Sequence, residues 1–222
     1  IPITVKHIET ETPGYLSVFF KRPRSFVFDP GDWIEFGEPD DQPAGGKVYS
    51  LSSSPHEPDL QITFREGISP FKKMLAVLKP GDELIITEYG NDYGFQLNEH
   101  RPSVLIAGGV GIAPFRSMIK EMAELGSNNS VHLIYFNTSE DFLYKQELEE
   151  WQRQLLGLEV SFIATKTLRR KDREKLLREL LPSPDHQYYV SGPSGMVSST
   201  VQLLEKSGVT KKSIKVDDFG HY

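Results

Sequence analysis

Short runs in which apolar and polar residues alternate fill the first ninety-odd positions, and this period-two pattern predicts strands. The predicted strands cover residues 3–8, 15–20, 33–36, 48–51, 60–64 and 83–87. Turn-rich pieces such as Asp29-Pro30-Gly31-Asp32 and Lys79-Pro80-Gly81-Asp82 separate them. This spacing of strands and turns is typical of a small antiparallel β-barrel.

One helix interrupts the predicted barrel after residue 69. Ser69 can cap its start, and Pro70 suits the first helical position. Its apolar residues recur at helical spacing: Phe71, Met74, Leu75 and Leu78.

From Ser103 onward the pattern changes to apolar runs that alternate with helical segments. The runs cover residues 104–107, 131–136, 160–164, 188–190 and 214–216, and the helical segments lie near 114–125, 141–155, 171–181 and 194–207. Such alternation predicts a five-stranded parallel sheet with helices on both faces, as in Rossmann-like folds. We therefore predict two domains, a barrel over residues 1–98 and an α/β domain over 99–222.

Composition narrows the classes of function. The net charge is −6 with both signs mixed along the chain, so no basic surface for nucleic acid is predicted. No apolar run approaches the ~18 to 20 residues of a membrane span, and no signal-peptide pattern opens the chain, which predicts a cytoplasmic protein. The absence of cysteine excludes cysteine-ligated iron–sulfur clusters, and the scattered histidines predict no metal site. Redox chemistry would need a bound organic cofactor.

Three glycines in four positions mark the junction between the first parallel strand and its helix, in the stretch AGGVGIAPF over residues 107–115. Glycines allow a tight turn, and the free backbone N–H groups at a helix start can seat a pyrophosphate. The spacing differs from GxGxxG, and a tight turn without a ligand is the alternative. The stretch VSGPSGM over 190–196 repeats this pattern where a fourth strand would end beside the first, and open α/β sheets bind ligands in such crevices.

Two further candidates lie in the predicted barrel. In the stretch GGKVYSLSS over 45–53, Tyr49 can stack on a flat ring, Ser50 can offer a hydroxyl, and Lys47 can neutralise a phosphate. The alternative is a serine-rich strand end. The stretch REGISP over 65–70 places glycine ahead of a helix start and is a second candidate anion site.

In this order and at suitable distances, K-V-Y-S-L-S-S, G-I-S, G-G-V-G-I-A-P-F and S-G-P-S-G-M resemble the motifs of the ferredoxin-NADP reductase superfamily. The resemblance covers the whole chain. It implies a barrel that binds FAD over residues 1–98 and a domain that binds NAD(P) over 99–222. Tyr49 would flank the flavin ring and Ser50 would bond near its N5 atom. The remaining flavin contacts would come from Lys47, Val48, Ser53, Phe64, Arg65, Gly67, Ile68 and Ser69.

The same resemblance assigns residues of the second domain to the nicotinamide cofactor. These are Gly109, Val110, Gly111, Ile112, Pro114, Gly192, Pro193 and Met196. Ser191 stands where the family often has cysteine beside the nicotinamide, and Lys47 stands where it usually has arginine. Near the end of the chain, Phe219 or Tyr222 could cover the other flavin face and Asp218 could relay protons, with a frayed terminus as the alternative.

Thr165 and Lys166 fall where NADP-specific relatives bind the 2′-phosphate, which favours NADPH over NADH. The alternative is that KTLRRKDREK is a solvated helix start. The family resemblance favours FAD over FMN, with Tyr89, Tyr93 or Phe95 as candidates to stack on its adenosine or to pack against the barrel.

The resemblance implies an NAD(P)H-dependent reductase that passes electrons to a ferredoxin, a flavodoxin or a fused domain. The alternatives are a reductase of free flavin and a non-catalytic electron-transfer subunit of a larger complex.

Overall fold

The computed structural model describes residues 1–37, 47–91, 94–98 and 100–219, which form two sheets. The first sheet contains β1 (Pro2–Thr12), β2 (Tyr15–Lys21), β3 (Trp33–Gly37), β4 (Lys47–Ser50), β5 (Asp59–Arg65) and β6 (Glu83–Gly90). Its strand order is β4-β3-β6-β1-β2-β5, and all pairs are antiparallel.

Alternation along the strands builds the core of this sheet. Leu16, Val18 and Phe20 of β2 are buried, and they lie opposite Phe64, Ile62 and Leu60 of β5. The edge strands approach each other through the bridge between Leu51 and Ile62, and Ser52 N donates to Gln61 O at 2.8 Å. The sheet therefore curls into a barrel that this single bridge leaves incompletely closed.

The predicted helix is α1 (Pro70–Leu75), and the Ser69 side chain caps it by accepting a hydrogen bond from Lys72 N at 3.3 Å. The helix ends before Leu78, which the apolar spacing had included and which lies in the segment that leads to β6.

The second sheet contains β7 (Ser103–Gly108), β8 (Val131–Asn137), β9 (Leu158–Ala164), β10 (Gln187–Pro193) and β11 (Ile214–Phe219). Its strands are parallel in the order β11-β10-β7-β8-β9, so the first and fourth strands are neighbours. The helices are α2 (Ala113–Leu125), α3 (Lys145–Gln154), α4 (Arg170–Leu180) and α5 (Ser194–Lys206). α2 and α3 pack on one face and α4 and α5 on the other, as their two separate hydrophobic clusters show. The predicted fold class is confirmed.

One helix begins later than predicted. Residues 141–144 are not helical, because Asn137 Nδ2 donates to Asp141 O at 3.0 Å and Tyr144 has a left-handed backbone with φ 59°. Phe95 is buried against Phe115 and Tyr189 in the core of the second sheet, so it is unavailable to stack on a ligand. Across the described residues, no helix combines the length and apolar character needed to cross a membrane.

Candidate functional site

A cavity of about 510 Å³ lies at the carboxyl ends of the parallel strands. We call it the large cavity. The glycine turn after β7 and the end of β10 form one side, with Gly108, Gly109, Val110, Pro193 and Met196 among its lining residues. The other end is bordered by polar and charged side chains: Asn137, Thr138, Thr165, Arg170, Arg173 and Glu174. Bare backbone at one end and arginines at the other suit an elongated anionic ligand.

The glycine turn is shaped by its contact with β10. Gly109 has φ +55°, in the left-handed region that favours glycine, and begins a 3₁₀ turn over Gly109–Ile112. A Cβ atom on Gly111 would lie 2.2 Å from the carbonyl oxygen of Ser191. The backbone of the turn therefore passes β10 at a distance that no side chain at position 111 permits.

A second cavity of about 110 Å³, the small cavity, lies against the barrel. It is lined by Lys47, Val48, Tyr49, Ser50, Thr63, Phe64, Arg65, Ser69, Lys72, Val110, Ala113 and Phe219. The Tyr49 ring stacks on Phe71 with centroids 6.1 Å apart and meets the edge of Phe64 at 6.2 Å. Tyr49 and Phe219 thus bring aromatic surface from the barrel and from β11 to one cavity.

Cations gather on the barrel side of the small cavity. Burial, and then the charges of Arg65 and Lys47, lower the pKa of Lys72. Cationic side chains around one cavity can form charge-assisted hydrogen bonds with a phosphate. The grouping therefore fits a ligand that carries phosphate.

The two cavities adjoin. Arg65 and Val110 line both, so a ligand in one would lie next to a ligand in the other. Arg65 ends β5 opposite Tyr15, and Tyr15 also borders the large cavity. The barrel therefore contributes part of the wall of the large cavity.

A carboxylate that the sequence analysis did not single out joins the two sides. Ser50 Oγ of β4 donates to Asp217 Oδ2 at 2.9 Å, and Ser191 Oγ of β10 donates to the same oxygen at 3.2 Å. Burial raises the pKa of Asp217, the two serine hydroxyls oppose that rise, and Asp218 adds to it. The pairing of β10 with β11 identifies Asp217, because the parallel register places it directly beside Ser191.

Asp218 lies elsewhere. It is exposed and accepts a hydrogen bond from Ser194 Oγ at 2.6 Å. Its predicted role in proton relay stays a prediction, as do the other predicted site roles. Tyr222 lies outside the described residues.

The remaining predicted site residues divide by position. Those that line neither cavity are Ser53, Gly67, Ile68, Gly111, Ile112, Pro114, Lys166, Ser191 and Gly192. Ser53 is buried between the two sheets, where its carbonyl accepts a hydrogen bond from Ser117 Oγ at 2.6 Å. Lys166 is exposed, whereas Thr165 lines the large cavity and donates to Asn137 O at 3.0 Å. Arg170 and Arg173 of α4 also line the large cavity.

Comparison with known proteins agrees with this arrangement. Residues 105–202 match the family model of the oxidoreductase NAD-binding domain. The F subunit of the Na⁺-translocating NADH-quinone reductase is 27% identical in Chlamydia felis, over 80% of this chain and 49% of the relative. Its Chlamydia trachomatis counterpart is 29% identical over 81% of this chain and 50% of the relative. The chain spans about half the length of these curated relatives.

Solved structures share the whole fold. The FAD/NAD-binding domain of nitric oxide dioxygenase from Vibrio cholerae superposes with a TM-score of 0.79 at 22% identity, covering 99% of this chain and 98% of the other. A ferredoxin NADP⁺ reductase from Neisseria gonorrhoeae, solved with FAD and NADP, also gives 0.79, at 19% identity and 98% coverage of both chains.

Residues 105–202 match an oxidoreductase NAD-binding domain, and the solved structures share both its fold and the antiparallel barrel that precedes it. These findings support the predicted resemblance to the ferredoxin-NADP reductase superfamily.

Proposed function

We propose that this chain is an FAD-dependent NAD(P)H oxidoreductase, with FAD on the barrel over residues 1–98 and NAD(P) on the domain over 99–222. Bound FAD would take a hydride from the reduced nicotinamide and hand electrons to an acceptor. The observation that carries the proposal is the Ser50–Asp217–Ser191 contact, in which Ser50 lines the small cavity. It joins the strand that carries the flavin motif to the strand that carries the nicotinamide motif.

The residues of the small cavity fit a flavin dinucleotide. Lys47, Arg65 and Lys72 would meet its phosphates, because all three line the small cavity and a phosphate pairs with cationic side chains. Tyr49 and Phe219 would contact the flat ring. Three separate cations would perform the task that the family usually gives to an arginine fork at position 47.

The large cavity fits a nicotinamide dinucleotide. Gly109 and Val110 would approach its pyrophosphate, while Pro193 and Met196 would border the path toward the flavin. Arg170 and Arg173 line the far end, and Arg170 Nε is paired with Glu174 Oε1 at 2.9 Å. Arg173 therefore supplies charge for a 2′-phosphate, which favours NADPH, although the curated relatives are named for NADH.

The chain's own polar groups would order the reacting edge. Asp217 accepts hydrogen bonds from both serines, so the two hydroxyl hydrogens are fixed and the Ser50 oxygen is left as an acceptor toward the small cavity. Because burial raises the pKa of Asp217, the carboxyl would also take up a proton more readily than an exposed aspartate does. We assign Ser50 and Asp217 to orientation of the flavin edge and Ser191 to the nicotinamide.

The acceptor is the least constrained part of the proposal. A ferredoxin, a flavodoxin or a fused domain fits a family of electron-transfer reductases, with free flavin as the alternative. Similarity to one component of a larger NADH-quinone reductase supports a second candidate, an electron-transfer subunit of such an assembly. A cytoplasmic location stays a prediction.

An anaerobic absorbance titration of the FAD-loaded protein with NADPH and, separately, NADH tests the proposal. We expect the oxidised flavin band near ~450 nm to bleach with either nucleotide and at lower concentration with NADPH. Asp217→Ala should slow bleaching more than Asp218→Ala, which removes the neighbouring exposed carboxylate. Failure to retain FAD, or a flavin that neither nucleotide reduces, would overturn the proposal.

A further inference from the structure

A buried arginine lies at the contact between the barrel and the α/β domain, away from both cavities. Arg116 of α2 is only 5% exposed. Its Nε and Nη2 donate to the Glu147 carboxylate of α3 at 2.9 and 2.8 Å. Its Nη1 and Nη2 donate to the Glu57 carboxylate of the barrel at 2.9 and 3.2 Å. Burial opposes the charge, but the hydrogen bonds with these carboxylates outweigh it and raise the pKa of Arg116.

The fifth N–H of the guanidinium reaches the strand end that leads out of the flavin motif. Arg116 Nη1 donates to the carbonyl oxygen of Ser52 at 2.8 Å, and the next residue, Ser117, donates to Ser53 O at 2.6 Å. All four residues are buried. Two adjacent residues of α2 therefore bind two adjacent carbonyls of the barrel.

The sequence positions of these contacts connect the two candidate sites. Ser52 follows Ser50 by two residues, and Arg116 follows Gly111 by five, on the helix that the glycine turn begins. A short rigid path thus runs from the small cavity through Ser52 and Arg116 to the turn that borders the large cavity. Movement of α2 relative to the barrel would change the separation of the two cavities.

We propose that Arg116 is a positioning residue that sets the distance and angle between the nicotinamide and the flavin. The proposal rests on the proposed function. Reactions between two bound groups depend steeply on alignment, and a displacement near ~1 Å can cost about a hundredfold in rate. The planar fork of arginine serves two carboxylates and a carbonyl at once, which lysine with its single ammonium cannot reproduce.

The test compares Arg116→Met and Arg116→Lys with Arg153→Met, which removes an exposed arginine from α3. Rapid-mixing kinetics of the FAD-loaded protein at saturating NADPH should show flavin reduction slowed at least about tenfold in Arg116→Met and less in Arg116→Lys. The affinities for FAD and for NADP⁺ should change by less than about threefold, because Arg116 lines neither cavity. Arg153→Met should match the wild type.

A second readout does not depend on the reaction. Hydrogen exchange of the backbone amides of residues 52–54 should be faster in Arg116→Met, since a hydrogen bond that holds this segment against α2 is lost. Ser117→Ala removes one neutral hydrogen bond to the same segment and keeps the charges, so it covers the case in which Arg116→Met fails to fold. In Ser117→Ala, flavin reduction should be about twofold slower, and hydrogen exchange of residues 52–54 should be faster than in the wild type but slower than in Arg116→Met.

The outcomes separate this proposal from the proposed function. A wild-type flavin that no nucleotide reduces overturns the function itself. If the wild-type flavin is reduced normally and Arg116→Met shows the same rate at saturating NADPH, the positioning role is overturned, even if the melting temperature falls. Where Arg116→Met does not fold, an unchanged rate in Ser117→Ala has the same meaning. A lower rate with unchanged affinities supports it.

Discussion

At the scale of single residues, the structure places Asp217 against the two serines, whereas the sequence had favoured its neighbour Asp218. The sequence presents Asp217 and Asp218 side by side in a terminal segment rich in aromatic residues. Only the pairing of β11 with β10 decides which one faces Ser50 and Ser191, because neighbouring side chains of a strand point to opposite faces. Register is a long-range property, so a pattern read along one strand does not provide it.

Asp217→Asn should raise the free energy of unfolding at pH 7. The unfolded state titrates near the ordinary carboxyl pKa of 3.8, and the folded value is higher because the group is buried. The carboxyl therefore favours folding below pH 3.8 and loses that contribution as the pH rises through its folded pKa. Asparagine carries no charge to bury, so the free energy of unfolding at pH 7 should increase by up to about 1.4 kcal/mol for each unit by which burial raises the pKa of Asp217.

Urea unfolding of the wild type, Asp217→Asn and Asp218→Asn at several pH values measures the effect. The advantage of Asp217→Asn should shrink toward pH 3.8, and Asp218→Asn should differ little from the wild type. An Asp217→Asn protein that is less stable at every pH would mean that the hydrogen bonds from Ser50 and Ser191 outweigh the burial of the charge.

Arg173 provides a test of the proposed preference for NADPH. Replacing Arg173 by alanine should raise the KM for NADPH by about tenfold, since a hydrogen bond to a charged group contributes roughly 1.5 kcal/mol at the weak end. The KM for NADH should change by less than about twofold, because NADH has no 2′-phosphate for this cation to pair with. Arg178→Ala, on the same helix but outside the cavity, is the control. Equal increases in KM for both nucleotides would show that Arg173 does not bind the 2′-phosphate.

At the scale of elements, local periodicity predicted most strands and helices, and it failed where a distant contact decides. Alternating apolar and polar residues located the described strands of the first sheet, and continuous apolar runs located those of the second, whose central strands are buried on both faces. Helix α3 begins at Lys145, after the left-handed Tyr144, whose hydroxyl contacts Gln61 of the barrel at 3.2 Å. The local pattern also gave no sign of the contacts of Arg116, because they are made with residues that are distant in sequence. Its partners Glu57 and Glu147 are 59 and 31 residues away in sequence.

The glycine turn provides a prediction for an element. Gly111→Ala should lower the free energy of unfolding by about 3 kcal/mol, the upper range for an overpacked site, because its Cβ would lie 2.2 Å from Ser191 O. For a chain of this length the melting temperature should fall by roughly 6 to 12 °C. Gly195→Ala is the matched control, since its Cβ meets nothing within 4 Å. Equal stability of the two variants would show that the turn can move away from β10.

At the scale of the whole molecule, polar contacts join the barrel to the α/β domain. Arg116 binds Glu57, Ser54 Oγ donates to the Glu124 carboxylate at 2.5 Å, and the Tyr144 hydroxyl contacts Thr63. Arg116, Ser54, Tyr144 and Thr63 are buried, and leaving their polar groups unpaired would be costly. We therefore expect the two domains to unfold together.

This coupling gives FAD an effect beyond the barrel. At a concentration of 100 times its Kd, a ligand stabilises the folded state by about 2.7 kcal/mol, which corresponds to roughly 5 to 11 °C for a chain of this size. Scanning calorimetry of the flavin-free protein should show one transition, and FAD should move it as a whole. Riboflavin, which lacks phosphate, should move it less at equal concentration, because it makes no charge-assisted hydrogen bonds with the cations that line the small cavity. Two transitions of which only one responds to FAD would mean that the domains are coupled weakly, and the rigid path through Arg116 would then be unable to fix the separation of the cofactors.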